Sequence, residues 1–327
     1  MLDLPQRPRR NRKSAAVRAL ARETHLGVAH LVLPVFITET PGRQPIASMP
    51  GCARLGPAEL LAEVEGAHAE GLRLVVLFPA IEDALKSPRG DEATNPDGLV
   101  PRTIAAIKAR WPDMMVLTDI ALDPYSSDGH DGIVGPDGRI LNDETVEVLQ
   151  RQALTHARAG ADIVAPSDMM DGRVGAIREA LDDAGFTDVS ILSYTAKYAS
   201  ALYGPFRDAL ASAPRFGDKK TYQMDPANAR EALRELALDE QEGADIVMVK
   251  PALAYLDVIA LLRDHTTLPV AAYHVSGEYA MLKAAGANGW IDERKAALEH
   301  LLAMRRAGAD LILTYYAREA ARWLSEG

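Results

Sequence analysis

Eight short apolar runs recur along the chain, at 31–37, 72–78, 114–120, 161–165, 189–193, 244–250, 269–275 and 309–315. In the sixth, Ile246, Val247, Met248 and Val249 lie between Gly243 and Pro251, a stretch too short for a helix. Rich in β-branched residues, it reads as a strand buried on both faces, as in parallel sheets. Segments of helical periodicity separate most of the runs. In 57–70, Leu60, Leu61, Val64 and Ala67 share one face. The segment 142–159 opens on Asn142 in a capping position with acids in its first turn. Asp225-Pro226 offers a cap followed by proline at the first helical position, and 291–307 ends at Gly308. Three strands share an entry signature, Gly-Ala-Asp followed by apolar residues, at 160–164, 243–247 and 308–312. Glycine there suits the end of a helix, so the signature marks a helix-to-strand junction repeated around a ring. Eight such units in about 300 residues predict a (β/α)8 TIM barrel over 31–327. A doubly wound open sheet is the alternative, but no Gly-x-Gly-x-x-Gly follows the first strand.

Acidic residues outnumber basic ones by 46 to 36, and the net charge of −10 argues against nucleic acid as a bulk partner. The charge is uneven. Arg7, Arg9, Arg10, Arg12, Lys13, Arg18 and Arg22 face a single acid, Asp3, in the first 22 residues. Such an arm (1–30) suits nucleic acid, a transit peptide or an acidic neighbouring subunit. Because it runs into a plausible helix at 15–23, subunit contact is the reading we favour. It has no apolar core of signal-peptide length, and nowhere do about 18 apolar residues run together as a membrane span requires. Cys52 is the single cysteine, which excludes an intramolecular disulfide and a cysteine-rich zinc site. These features predict a cytoplasmic protein.

In a barrel of this type, chemistry gathers where the strands end. Those ends carry Asp119 and Asp123, Ser167-Asp168, Tyr194 to Lys197, Lys250, His274 with Ser276, and Tyr315-Tyr316. A lone lysine at a strand end more simply reaches out to solvent. Two at neighbouring ends, Lys197 and Lys250, are different. Each ammonium disfavours protonation of the other, burial adds to the effect, and the free amine attacks carbonyl carbon. A Gly- and Pro-punctuated segment then supplies Arg207, Lys219, Lys220 and Gln223, the makings of a mobile lid with cations for a carboxylate. A Schiff-base aldolase of the one-lysine type and a non-catalytic assembly protein are rival readings. The first would place a phosphate cradle in the last two βα loops, and none is visible after Val275 or Tyr315.

Several strings are more specific. Met248-Val-Lys250-Pro, Ser193-Tyr-Thr-Ala-Lys197-Tyr-Ala-Ser, Tyr203-Gly-Pro-Phe-Arg207-Asp-Ala, Ala165-Pro-Ser-Asp-Met-Met-Asp-Gly-Arg173 and Tyr273-His-Val-Ser276-Gly-Glu-Tyr resemble the porphobilinogen synthase (5-aminolevulinate dehydratase) family. The resemblance runs from about Arg9 to the C-terminus. It implies condensation of two 5-aminolevulinate molecules to porphobilinogen with loss of two waters. It implies one Schiff base at Lys250 and another at Lys197, the first carboxylate on Ser276 and Tyr315, and the second on Arg207, Lys219 and Gln223. Where the family's best-known metal site has cysteines, this chain has Ala121, Asp123 and Asp131. It therefore looks like the aspartate-rich branch, working without zinc and without an organic cofactor, with Asp123 and Asp131 catalytic. Zinc in that position would want soft thiolates. The resemblance further implies an allosteric magnesium ion near Glu235, held through waters, and a homo-octamer of arm-exchanged dimers with hexamers as the lower form.

Overall fold

The computed structural model describes residues 4–210 and 212–326. Residues 1–3, including Asp3 of the expected arm, lie outside the described residues, as do Ala211 and Gly327. Each apolar run falls on a strand, three of which extend past the run's end: β1 (Leu31–Ile37), β2 (Leu74–Pro79), β3 (Met115–Ile120), β4 (Ile163–Pro166), β5 (Ser190–Lys197), β6 (Ile246–Lys250), β7 (Val270–His274) and β8 (Leu311–Thr314). Each pairs in parallel with the next, and β8 returns to β1 through Leu31↔Ile312 and Val32↔Leu313. The barrel is closed, with helices between strands, as expected. A short hairpin, Arg43–Pro45 with Ala53–Leu55, adds to the outside of β1 at Phe36 and Ile37.

Burial on both faces follows from this closure. Leu74, Val76 and Phe78 of β2 pack into the barrel, while Val75 and Leu77 pack outward on the helices. Full burial of each such side chain contributes roughly 1.5–3 kcal/mol. The repeated Gly-Ala-Asp turns out to be a staple at the barrel floor. Gly160, Gly243 and Gly308 adopt positive φ as the chain leaves a helix. The aspartate that follows then accepts from a backbone N–H of the preceding strand. Asp162 takes Val116 at 2.8 Å, Asp245 takes Ile191 at 2.7 Å and Asp310 takes Val270 at 3.0 Å.

Three local expectations need correction. Asn142 does not cap: the helix Asn142–Arg158 starts on it, and its side chain pairs with the backbone of Asp171 in both directions. Asp225-Pro226 does not begin a helix. Asp225 accepts from Ala227 N at 2.9 Å in a local turn, and the helix begins later, at Glu231–Gln241. The arm helix is shorter than foreseen, Ala15–Leu20, capped by Ser14.

The most consequential departure lies in β5. Leu192 and Tyr194 point into the barrel, yet Ala196 packs outward and Lys197 points in again. Register against β6 slips between Val247↔Ser193 and Val249↔Ala196, so three residues of β5 span two of β6. Ser193 faces out, its hydroxyl donating to Asp239 at 2.6 Å. Without this bulge the period of two would carry Lys197 outward with Ser193. With it, Lys197 and Lys250 become direct cross-strand partners.

Candidate active site

Lys250 ends β6 with its side chain buried, and its Nζ lies 4.8 Å from the ring centre of Tyr273 and 5.1 Å from those of Tyr194, Tyr203 and Phe206. Burial, then the charge of Lys197, lowers its pKa to about 7. Lys197 has a different setting. Its Nζ donates to Asp131 Oδ2 at 3.1 Å and to the Ser167 carbonyl. The neighbouring strands thus present two buried amines, one among rings and one on a carboxylate.

Asp131 and Asp123 come from the loop after β3. Lys219 donates to Asp131 at 2.6 Å and to Asp123 at 3.4 Å, and Gln223 Nε2 reaches Asp131 at 3.5 Å. Burial alone would raise Asp131, but the ammonium groups of Lys197 and Lys219 outweigh it and hold the carboxyl well below the usual range. Burial would likewise lower Lys219, and Asp123 and Asp131 more than reverse that. Arg207, on the helix Gly204–Leu210, lines the same cavity. Seven of the residues given a role in the site therefore meet: Lys250, Lys197, Asp123, Asp131, Arg207, Lys219 and Gln223.

Three others do not line it. Ser276 Oγ accepts from Phe206 N at 3.0 Å and donates to the Leu202 carbonyl. Tyr315 shares a hydrogen bond of 2.9 Å with the hydroxyl of Tyr273. Ser276 thus holds the backbone of Phe206, and Tyr315 the hydroxyl of Tyr273, two residues whose rings lie near Lys250 Nζ. Glu235 lies apart, on a cavity of about 670 Å³ that it shares with Asp171, Asn142 and Glu231. Burial raises its pKa, and Arg173 pulls it back while Asp239, Asp171 and Glu231 push it further up.

Asp119, named at its strand end but given no role there, keeps the inward phase of Leu117 on β3. It is buried on the cavity wall, and burial followed by the charge of Asp123 raises it to about 7. Its Oδ1, the Oε1 of Gln223 and the hydroxyl of Tyr194 have no hydrogen-bond partner among the described residues. Buried polar atoms are rarely left so, which suits a ligand that completes them. Ser167, Tyr203, Phe206 and Phe78 also line the cavity. Phe206 gave no signal, because nothing in a Gly-Pro-Phe string says which way its ring will turn.

The family profile of Delta-aminolevulinic acid dehydratase matches residues 5–323. The enzyme of that name from Physcomitrium patens is 64% identical over 324 residues, covering 99% of this chain and 75% of the relative's length. That from Oryza sativa subsp. japonica is 65% identical, covering 99% and 76%. A crystal structure of the Toxoplasma gondii ME49 enzyme in complex with the reaction product porphobilinogen superposes with a TM-score of 0.99. It is 56% identical and covers 100% of this chain and 93% of the other. The two plant relatives are named chloroplastic, which overturns the cytoplasmic assignment. The barrel does not need an address segment in order to fold, so its residues could not have told the compartment. By profile, relatives and fold together, the chain belongs to the Delta-aminolevulinic acid dehydratase family.

Proposed function

We propose that this chain condenses two molecules of 5-aminolevulinate to porphobilinogen with loss of two waters, through Schiff bases at Lys250 and Lys197. The observation that carries this is the pairing of Lys250 with Lys197 across β5 and β6 inside one cavity. An amine with pKa about 7 is substantially unprotonated at neutral pH and adds to the ketone of one substrate. Loss of one water at each lysine gives two imines. The protonated imine acidifies its neighbouring carbon, and the resulting enamine attacks the other imine carbon. The free substrate amine then displaces one lysine from its imine, and elimination of the second lysine with loss of a proton leaves the aromatic ring. Asp119, poised near 7, is suited to take and return the proton of the acidified carbon. Asp131 and Asp123, held ready by Lys219, suit the substrate ammonium. Arg207, Lys219 and Gln223 are assigned to the second carboxylate. Ser276 and Tyr315 are assigned to the first, a role supported by their contacts to Phe206 and Tyr273 beside Lys250. Borohydride reduction in the presence of 5-aminolevulinate, followed by mass spectrometry, should find adducts on Lys250 and Lys197. Absence of both would overturn the mechanism.

We place the chain in the aspartate-rich branch, working without zinc. Both aspartates are hard carboxylates already engaged by ammonium groups, a poor donor set for zinc. Activity should survive a zinc chelator; stoichiometric zinc whose removal abolishes turnover would reverse the assignment. At Glu235 we place a hydrated magnesium ion held through waters, because burial together with the charges of Asp171 and Glu231 on the same cavity raises this carboxyl and a cation would relieve that. We assign residues 1–30 to subunit contacts, in an octamer of arm-exchanged dimers, and 31–327 to the barrel. Residues 4–23 are exposed except for the half-buried Val17, and a six-residue helix does not persist in water without a surface to pack on. Removing residues 1–22 should lower the mass seen by light scattering.

A further inference from the structure

The segment 212–225 covers the cavity and leaves about 30 Å³ free, room for about two waters and far too little for 5-aminolevulinate. Lys219 and Gln223 of this segment form one wall of the cavity, with Tyr203, Phe206 and Arg207 beside them, so admitting substrate requires a wall to be displaced. The segment's inner contacts, Lys219 and Gln223 on Asp131, belong to the binding machinery and are disturbed when substrate enters. A second set of contacts is independent of substrate. The Asp131 backbone N–H donates to the Tyr222 hydroxyl at 3.3 Å, and that hydroxyl lies 3.1 Å from His130 Nδ1. His130 Nε2 lies 3.1 Å from the Phe216 carbonyl. A carbonyl only accepts, so Nε2 carries the proton, Nδ1 accepts, and the tyrosine donates to it. One neutral tautomer satisfies every group in the series. The Phe216 ring sits 5.1 Å from the imidazole, with Arg215 N donating to Asp128 O at 3.0 Å alongside. Gly129 makes the approach possible: a Cβ there would lie 2.4 Å from the Ala213 carbonyl.

We propose that His130 and Tyr222 are positioning residues that latch this lid shut, holding Lys219 and Gln223 in their binding geometry before substrate arrives. The proposal rests on reading the cavity as the 5-aminolevulinate site. A lid closed for only part of the time weakens apparent affinity by that fraction, while the saturated enzyme closes regardless. His130→Phe keeps the ring against Phe216 and loses both hydrogen bonds; Tyr222→Phe loses the link to Nδ1 and the acceptor for the Asp131 N–H. Each lost bond should raise KM roughly fivefold, with kcat unchanged or higher. Trypsin cleavage after the exposed Arg215 and Lys220 of the full chain should accelerate by a similar factor without ligand, and slow again in saturating levulinate. His130→Gln, whose amide can still donate to the Phe216 carbonyl, should recover part of both effects. Cleavage rates in both phenylalanine variants within twofold of the parent, or a fall in kcat at constant KM, would overturn the latch. If the parent fails to turn over 5-aminolevulinate, the assignment of the site falls, and the cleavage comparison still decides the latch.

Discussion

Lys250 Nζ sits about 5 Å from four aromatic ring centres, whereas Lys197 touches a carboxylate and a carbonyl. The rings attract an ammonium by roughly 0.5–2 kcal/mol each when met face on, against burial and the neighbouring charge. The lowered pKa says that burial and charge win. Imine trapping at Lys250 should therefore rise with pH and reach its midpoint near 7, because below that value the amine is protonated and cannot attack. A midpoint close to 10 would mean the rings prevail. Lys250→Ala should cut kcat by at least about 10³-fold, since Lys197 is taken up by the other substrate and cannot replace it. Asp131→Asn removes the charge that two buried ammonium groups share. Breaking a buried pair in this way costs roughly 3–5 kcal/mol, so a stability loss of that order on urea denaturation should accompany lost turnover. The lysines were legible in the sequence because each ends a strand. Their unlike surroundings were not, since the rings arrive from three separate segments.

At the scale of elements, the barrel was readable because its strands come from eight largely apolar runs and three helix-to-strand junctions repeat the same Gly-Ala-Asp. The start of the helix at Glu231 was not readable: Asp225 had two uses for its carboxylate, and the local turn won over the cap. Nor was the work of Glu278 visible. On the helix Ser276–Ala287, its carboxylate accepts from Val275 N at 2.7 Å and from Leu253 N at 2.6 Å. It thereby ties the chain just beyond Lys250 to the entry of the helix that carries Ser276. Burial raises it to about 7. Glu278→Ala strands two buried N–H groups at roughly 1–3 kcal/mol each, so thermal denaturation should show a clear loss of stability. Turnover should fall with it, because two strand ends lose their common anchor.

Across the whole molecule, acid should loosen the fold by a route separate from catalysis. His156 is buried on the helix Asn142–Arg158, neither ring nitrogen hydrogen-bonded to any described residue, and burial lowers its pKa to about 3. A depressed folded pKa contributes stability that is fully present above the unfolded value of about 6.5 and is lost as pH falls toward 3. Urea midpoints should drop between pH 6.5 and 5, and His156→Leu should flatten that drop; an unaltered slope would place the acid sensitivity elsewhere. One feature of β5 bears on how such a gene can change. The inward aim of Lys197 is written in the number of residues between Ser193 and Lys197 as much as in their kinds. Point mutations at Thr195 or Ala196 leave that number alone. In-frame loss of a single codon there would turn the amine outward while the residues that define the site kept their identity, so an aligned descendant could retain every hallmark and be inert.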